Sequence, residues 1–374
     1  MVSDASKSEM ALSSKNLKKI KLVVSDFHLG TGHRAEDGSV NILEDFFYDR
    51  EFIEFLQYYS SGDFENAEVE LIINGDFFNL LMIDYDEVFQ DVITEQVALR
   101  RMKRIMDGHL AVMNALKYFH SLERKRVTFV MGNHDPGILF PSVQNLVRSF
   151  VGDSVCFYLD AYEFDGIYIE HGNQYEIANA FNPNQFFLTK SLPEPVLNQP
   201  WGSLFLVEVI NEIKRDRPHF DKILPFSIYL RWLLIYDSRL FVRTCWEILK
   251  FLAKSMFRQD PRRSTSFTQT LRILLEAPVF PDLDDAAERI LSTRENIHTV
   301  IFGHNHRPTY RQFASGKEYI NTGTWNEMTH LDVDRFGTRL VCSFALIEYF
   351  DDRVQSSLKV WKGFQHLHRE TDVA

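Results

Sequence analysis

The sequence predicts an α/β layered fold that carries its functional groups at the carboxyl ends of its strands. Short apolar runs alternate with segments of helical periodicity, and each of several runs stops abruptly in Asp, Asn or His. The chain has 374 residues, 45% of them hydrophobic and 25% charged, which is enough length for a full core and the make-up of a globular protein.

In chain order, residues 1–18 read as a flexible polar tail without the apolar run of a signal peptide. Residues 19–25 (KIKLVVS) form a strand that ends in Asp26-Phe27-His28. Helical spacing predicts a helix within 40–59, and 69–73 is a buried strand closing in Asn74-Gly75-Asp76. A single long helical pattern covers 88–120. The strand 127–131 then stops in Gly132-Asn133-His134-Asp135, and a helix follows over 141–150. Strands at 155–159 and 166–170 lead into His171. Later, a helix at 282–295 precedes the strand 298–302, which ends in Gly303-His304-Asn305-His306. The tail alternates β-type runs at 318–321, 338–349 and 354–360.

Between these parts the composition shifts. Residues 181–265 are aromatic and helical and carry 13 Lys/Arg against 8 Asp/Glu, inside a chain of net charge -11. The expected organisation is one domain built from 19–180 and 266–374, with 181–265 inserted as a basic, aromatic helical cap. The net charge argues against non-specific nucleic-acid binding by the whole surface. Cys156, Cys245 and Cys342 are widely spaced and in no metal or redox pattern, which fits a reducing compartment. Charges interrupt the most apolar stretch, 223–257, so no unbroken span of about 20 apolar residues exists. The expected location is cytoplasmic, with contact to a membrane only from the side.

Five strand ends therefore offer metal-type ligands: Asp26 and His28, Asp76, Asn133 with His134 and Asp135, His171, and His304 with His306. Each alone reads as a cap or a polar turn. Five in order, each directly after an apolar strand, read as one site. In extended backbone, residues two apart point the same way, so Asp26 and His28 would face the site together, as would His304 and His306. Phe27 would point into the core.

The order Asp-x-His, Gly-Asp, Gly-Asn-His-Asp, His, Gly-His-x-His resembles the calcineurin-like metallophosphoesterases, over residues 25–325 apart from the insertion. The resemblance implies a four-layer αββα sandwich with two divalent metal ions at the strand ends. It implies that Asp26, His28 and His306 hold one ion, that Asn133, His171 and His304 hold the other, and that Asp76 bridges them. Mixed imidazole, carboxylate and amide ligands suit Mn, with Fe or Zn as alternatives. A metal-bridging hydroxide would be the nucleophile, and His134 the general acid for the leaving oxygen. Asp135 has two readings, an acceptor that orients His134 or the N-cap of the following helix. The segment 321–325 (NTGTW) reads as packing beneath the site.

Protein Ser/Thr phosphatases of this superfamily continue the Gly-Asp with Asp-Arg-Gly. Here the stretch is Phe77-Phe78-Asn79-Leu80, which is similar instead to the UDP-diacylglucosamine hydrolase branch. That branch also carries a helical, basic insertion, but with Arg where this chain has His134. The expected substrate is a phosphodiester or pyrophosphate, lipid-linked or nucleotide. The alternatives are a cyclic-nucleotide phosphodiesterase, a phosphomonoesterase, or a non-enzymatic interaction scaffold on the same fold.

Overall fold

A computed structural model of the chain describes residues 18–35, 37–85, 88–224, 226–257, 273, 283–331 and 336–363. Residues 1–17 of the tail expected over 1–18, and the end of the insertion, 258–265, lie outside the described residues.

Eleven strands build two sheets. They are β1 (Lys19–Val24), β2 (Glu68–Asn74), β3 (Lys125–Val130), β4 (Cys156–Tyr158), β5 (Ala161–Phe164), β6 (Ile167–Glu170), β7 (Thr299–Phe302), β8 (Thr309–Gln312), β9 (Glu318–Asn321), β10 (Ser343–Tyr349) and β11 (Val354–Val360). One sheet has the order β11-β10-β1-β2-β3-β4, the other β8-β9-β7-β6-β5. In the first, β1 to β4 run parallel; in the second, β6, β7 and β9 do. The carboxyl ends of both parallel sets therefore share one edge of the molecule.

Alternation along the strands sets the layers. Val23, Ile72 and Val130 of the first sheet meet Ile167, Ile169, Ile301 and Ile320 of the second in one buried cluster. Their neighbours Leu22, Val24, Leu71, Ile73 and Phe129 point the other way. They pack on helices α1 (Asp49–Tyr58), α2 (Glu95–Gly108), α3 (Leu110–Ser121) and α4 (Pro141–Val151). On the outer face of the second sheet, Val300, Phe302 and Tyr319 receive Leu283, Ala286 and Leu291 of α5 (Leu283–Thr293). The result is the helix–sheet–sheet–helix sandwich that the resemblance implied.

Two predicted helices differ from the expectation. Only Asp49–Tyr58 of the 40–59 pattern is helical. Ahead of it the Glu44 carboxylate accepts the backbone N–H groups of Gly30, Gly32, Asp45 and Phe46, and that local bonding competes with a helix. The 88–120 pattern opens with a short hairpin, Asp84–Tyr85 against Val88–Phe89, and then divides into α2 and α3 at His109. A Cβ on Gly108 would strike the carbonyl of Thr31, so only glycine lets the helix end approach that loop. Short strands β5 and β8 were not expected; each pairs antiparallel at the end of a sheet.

His109, a histidine without motif context, turns out to pin this break. It is buried, with Nδ1 2.9 Å from Asp49 and Nε2 3.2 Å from Glu44. Burial pushes its pKa down, but the two carboxylates outweigh that and take it up to about 9. A raised pKa gives stability that is fully present below pH 6.5 and is lost as pH rises through about 9. The loss is on the order of 3 kcal/mol. Denaturant melts from pH 6 to 10 check this: His109→Gln should remove that part of the alkaline decline, and the same decline in parent and variant would contradict it.

The insertion has a core of its own, with Trp201, Leu204, Ile213, Phe220, Leu233 and Phe251 among its members. It leans on the strand ends through Lys214, which is fully buried between Asp45 (2.9 Å) and Asp221 (2.7 Å). Asn211 donates to the Leu81 carbonyl at 3.0 Å. Ile223–Leu224 pairs with Met328–His330, so the insertion also shares a small sheet with the segment after β9. Among the described residues no helix is long and apolar enough to cross a membrane.

Candidate metal centre

The loop after β1 is shaped by its odd residue. Phe27 is fully buried, with its ring 4.8–5.1 Å from those of Phe46, Phe52, Phe77 and Trp325. Asp26 and His28 on either side are thereby turned toward the sheet edge. They do not reach it as extended backbone: Asp26, His28, Asp76, His304 and His306 all have φ between 53° and 69°. Five of the eight non-glycine residues with positive φ among those described are thus candidate ligands. Each such residue costs about 1 kcal/mol or more. Hydrogen bonds between the loops offset this: His28 N–H donates to the Asp76 carbonyl at 2.9 Å, and His304 N–H to Asp26 Oδ2 at 3.0 Å. The expected convergence of residues two apart therefore arises from left-handed turns rather than from strand pleat.

Three groups of side chains meet there. Asp26, His28 and His306 form one, Asp76, His171 and His304 a second, and His28, Asp76 and His134 a third. His28 Nε2 lies 3.1 Å from His306 Nε2 and 3.9 Å from Asp76 Oδ2. His306 Nε2 is 3.3 Å from Asp26 Oδ1, and His171 Nε2 is 3.1 Å from Asp76 Oδ2. Asn133 is buried between Gly132 and His134; a Cβ on Gly132 would strike the Asp76 carboxylate. Asp26, His28, His171, His304 and His306 thus gather around Asp76, and Asn133 lies in the loop whose Gly132 abuts the Asp76 carboxylate.

The electrostatics are those of a crowded, desolvated cluster. Burial pushes the Asp76 carboxyl up, but His171 and His134 outweigh it and hold it well below the usual range. For His171 burial works downward, and Asp76 and Asp26 outweigh it to bring the imidazole up to about 10. His28 goes the other way, to about 3, through burial and then the neighbouring His134. Two buried carboxylates are thus matched by protonated histidine, a charge that a bound cation can replace.

Second contacts fix the rings. His171 Nδ1–H donates to the Asn74 carbonyl at 2.8 Å, which leaves Nε2 facing Asp76. His304 Nε2 meets Glu176 Oε2 at 2.6 Å, and that leaves its Nδ1 for the centre. Asn79 Nδ2 donates to Asp45 at 3.3 Å, so Asn79 Oδ1 accepts Nδ1–H of His134 at 3.0 Å. Thr324 donates to the Asp26 carbonyl at 2.6 Å and Asn326 to that of Phe27 at 2.8 Å, in keeping with a supporting role for 321–325.

Asp135 is a correction. It makes no hydrogen bond to His134, and although it stands at the N-cap position of the short turn Pro136–Leu139, its side chain makes no capping bond there. Its Oδ1 accepts from Gly132 N–H at 2.6 Å and its Oδ2 from Phe77 N–H at 3.2 Å, tying the loops after β2 and β3 together. Burial, then the nearby Asp76 charge, pushes this carboxyl up to about 7. The orienting partner of His134 is Asn79. Glu176 had no signal in the sequence, since its partner His304 is 128 residues away.

A sequence profile of the calcineurin-like phosphoesterases matches residues 21–232, more than half of the chain, and the chain belongs to that family of metal-dependent phosphoesterases. Among solved structures it is similar to a dimetal phosphatase from Danio rerio, at 12% identity and a TM-score of 0.37, covering 92% of this chain and 100% of that one. It is also similar to Vps29 complexed with zinc from Entamoeba histolytica, at 10% identity and a TM-score of 0.27, covering 91% and 99%. No curated protein matches the chain.

Proposed function

We propose that this protein hydrolyses a phosphodiester or pyrophosphate bond at a two-metal centre, with His134 giving the proton to the leaving oxygen. The observation that carries the reading is Asn133 Oδ1, a buried amide oxygen with no hydrogen-bond partner among the described residues, together with His171 Nε2, which faces the Asp76 carboxylate at 3.1 Å. An unpaired buried acceptor is costly, and a cation would satisfy Asn133 Oδ1 while replacing the positive charge that His171 sets against Asp76. Asp26, His28 and His306 fit one ion and Asn133, His171 and His304 the other, with Asp76 between them. Two divalent ions, Mn ahead of Fe or Zn, would supply Lewis-acid charge on a phosphate oxygen and an activated water.

The chain's own groups do the rest. Asn79 holds His134 Nδ1–H, so Nε2 is the nitrogen that carries a proton to the leaving group. Glu176 and the Asn74 carbonyl fix the rings of His304 and His171. A cavity of about 150 Å³ opens beside His28, His134 and His306, roofed by Leu206 and Lys222 of the insertion. In the insertion, Trp232, Ile235, Tyr236, Val242, Trp246 and Leu249 are exposed, and so are Arg231 and Arg239. Such a combination suits an anionic membrane surface and supports a lipid-linked substrate. That also agrees with the layout of the UDP-diacylglucosamine hydrolase branch.

The test is a panel offered to Mn-loaded protein: aryl and alkyl phosphodiesters, pyrophosphates including a lipid-linked one in anionic vesicles, cyclic nucleotides and monoesters. Diesters or pyrophosphates should be cleaved fastest. Preferred release of inorganic phosphate from monoesters, or preferred opening of cyclic nucleotides, would replace this reading with the corresponding alternative.

A further inference from the structure

The centre is flanked by two cavities of opposite character, which share His306, Asn326 and Met328 as a common wall. The cavity under the insertion has its cation already neutralised, since Lys222 Nζ lies 3.0 Å from Asp45. The other, of about 210 Å³, is lined by Arg307, His330 and Arg339, and among the described residues no carboxylate lines it. Both guanidinium groups belong to exposed residues, and among the described residues neither is paired with an acid. They are nonetheless well placed. Arg307 follows His306 directly, and its N–H is held by Asn305 Oδ1 at 3.0 Å. Arg339 lies opposite Met328 in an antiparallel pair fixed by the contact of Thr329 and Thr338 hydroxyls at 2.9 Å.

Two arginines lining one cavity at the edge of a phosphoesterase centre, without an acidic partner among the described residues, have the chemistry of an anion site, because the guanidinium fork matches phosphate oxygens. The volume is below the roughly 300 Å³ at which sites for drug-sized ligands begin, so it suits a phosphate with a few carbon atoms. We infer that the cavity of Arg307 and Arg339 binds a second phosphate of the substrate, carried on one arm of the ester whose scissile phosphate sits at the metal centre. This rests on the reading of the centre given above. It narrows the substrate class to phosphodiesters or pyrophosphates with a further phosphate on one side and a less charged group on the other.

A matched pair of chromogenic diesters tests the assignment: 4-nitrophenyl esters of propane-1,3-diol phosphate, one with the far hydroxyl free and one with it phosphorylated. With Mn-loaded protein, the phosphate-armed ester should have the higher kcat/KM by about tenfold or more, chiefly through KM. Arg307→Ala and Arg339→Ala should each cut that preference severalfold, and Arg307→Lys should keep part of it. Binding of propane-1,3-diol bisphosphate, followed by calorimetry, should weaken about tenfold or more in the double alanine variant. A parent without preference, or a double variant that binds the bisphosphate as the parent does, overturns the assignment. Failure of the metal-loaded parent to cleave either ester overturns the reading of the centre instead, and the calorimetry still decides the anion site.

Discussion

His134→Ala is expected to keep both metal ions and to lose about 10²–10⁴-fold in kcat. The expectation comes from position. The ring of His134 stands edge-on to that of His28, with centroids 4.5 Å apart, at the wall of the cavity under the insertion. Its Nδ1 is engaged by Asn79, and its backbone N–H by Asp76 Oδ1 at 2.8 Å. Loss of the side chain therefore leaves the loop anchored through its backbone. A general acid matters most when the leaving oxygen is basic, so the loss should be large for alkyl esters and much smaller for 4-nitrophenyl esters. Because His134 also lies in a group with His28 and Asp76, metal content must be measured alongside the rates. A variant that loses an ion would make His134 a ligand, and equal losses on both esters would remove the acid role.

Asp76→Asn should be at least as damaging, and through a different route. One carboxylate oxygen accepts from His134 N–H and the other faces His171 and His28, at 3.1 and 3.9 Å, so Asp76 is the residue common to both halves of the cluster. The amide removes the negative charge that offsets repulsion between two cations. Bound metal should fall to about one ion per chain or fewer, and turnover should fall by at least the two to four orders of magnitude assigned to His134. Near-UV circular dichroism would verify that the variant keeps its fold. A variant that still binds two ions would contradict the bridging role.

Much of this was legible in the sequence because strand ends are punctuated locally. An apolar run stopping in Asp26-Phe27-His28 or Gly303-His304-Asn305-His306 marks both the strand and the group it presents. The four layers were expected from the family resemblance, and in the structure alternation along the strands sets them, with Val23 facing the second sheet and Leu22 facing the helices. What the sequence hid depends on long-range or non-repetitive geometry. The left-handed backbone of Asp26 and His28 is imposed by bonds to the loop after β2, which no periodicity reports. The break at His109 depends on Glu44 and Asp49, more than 50 residues earlier. Asp135 was misread because a carboxylate next to a catalytic-type histidine suggests a partner for it. The carboxylate instead found two backbone N–H groups, and an amide from another loop took its place.

On the proposed reading, Asp76 and six further side chains hold two divalent ions, and the protein cleaves phosphodiesters or pyrophosphates. Metal analysis of protein dialysed against Mn, in parallel with diester hydrolysis by the same samples, checks both halves of this reading. The protein should bind close to two ions per chain, with activity that rises as the second ion binds and is lost on chelation. Fewer than about one tightly bound ion per chain, together with no hydrolysis stimulated by Mn, would contradict it.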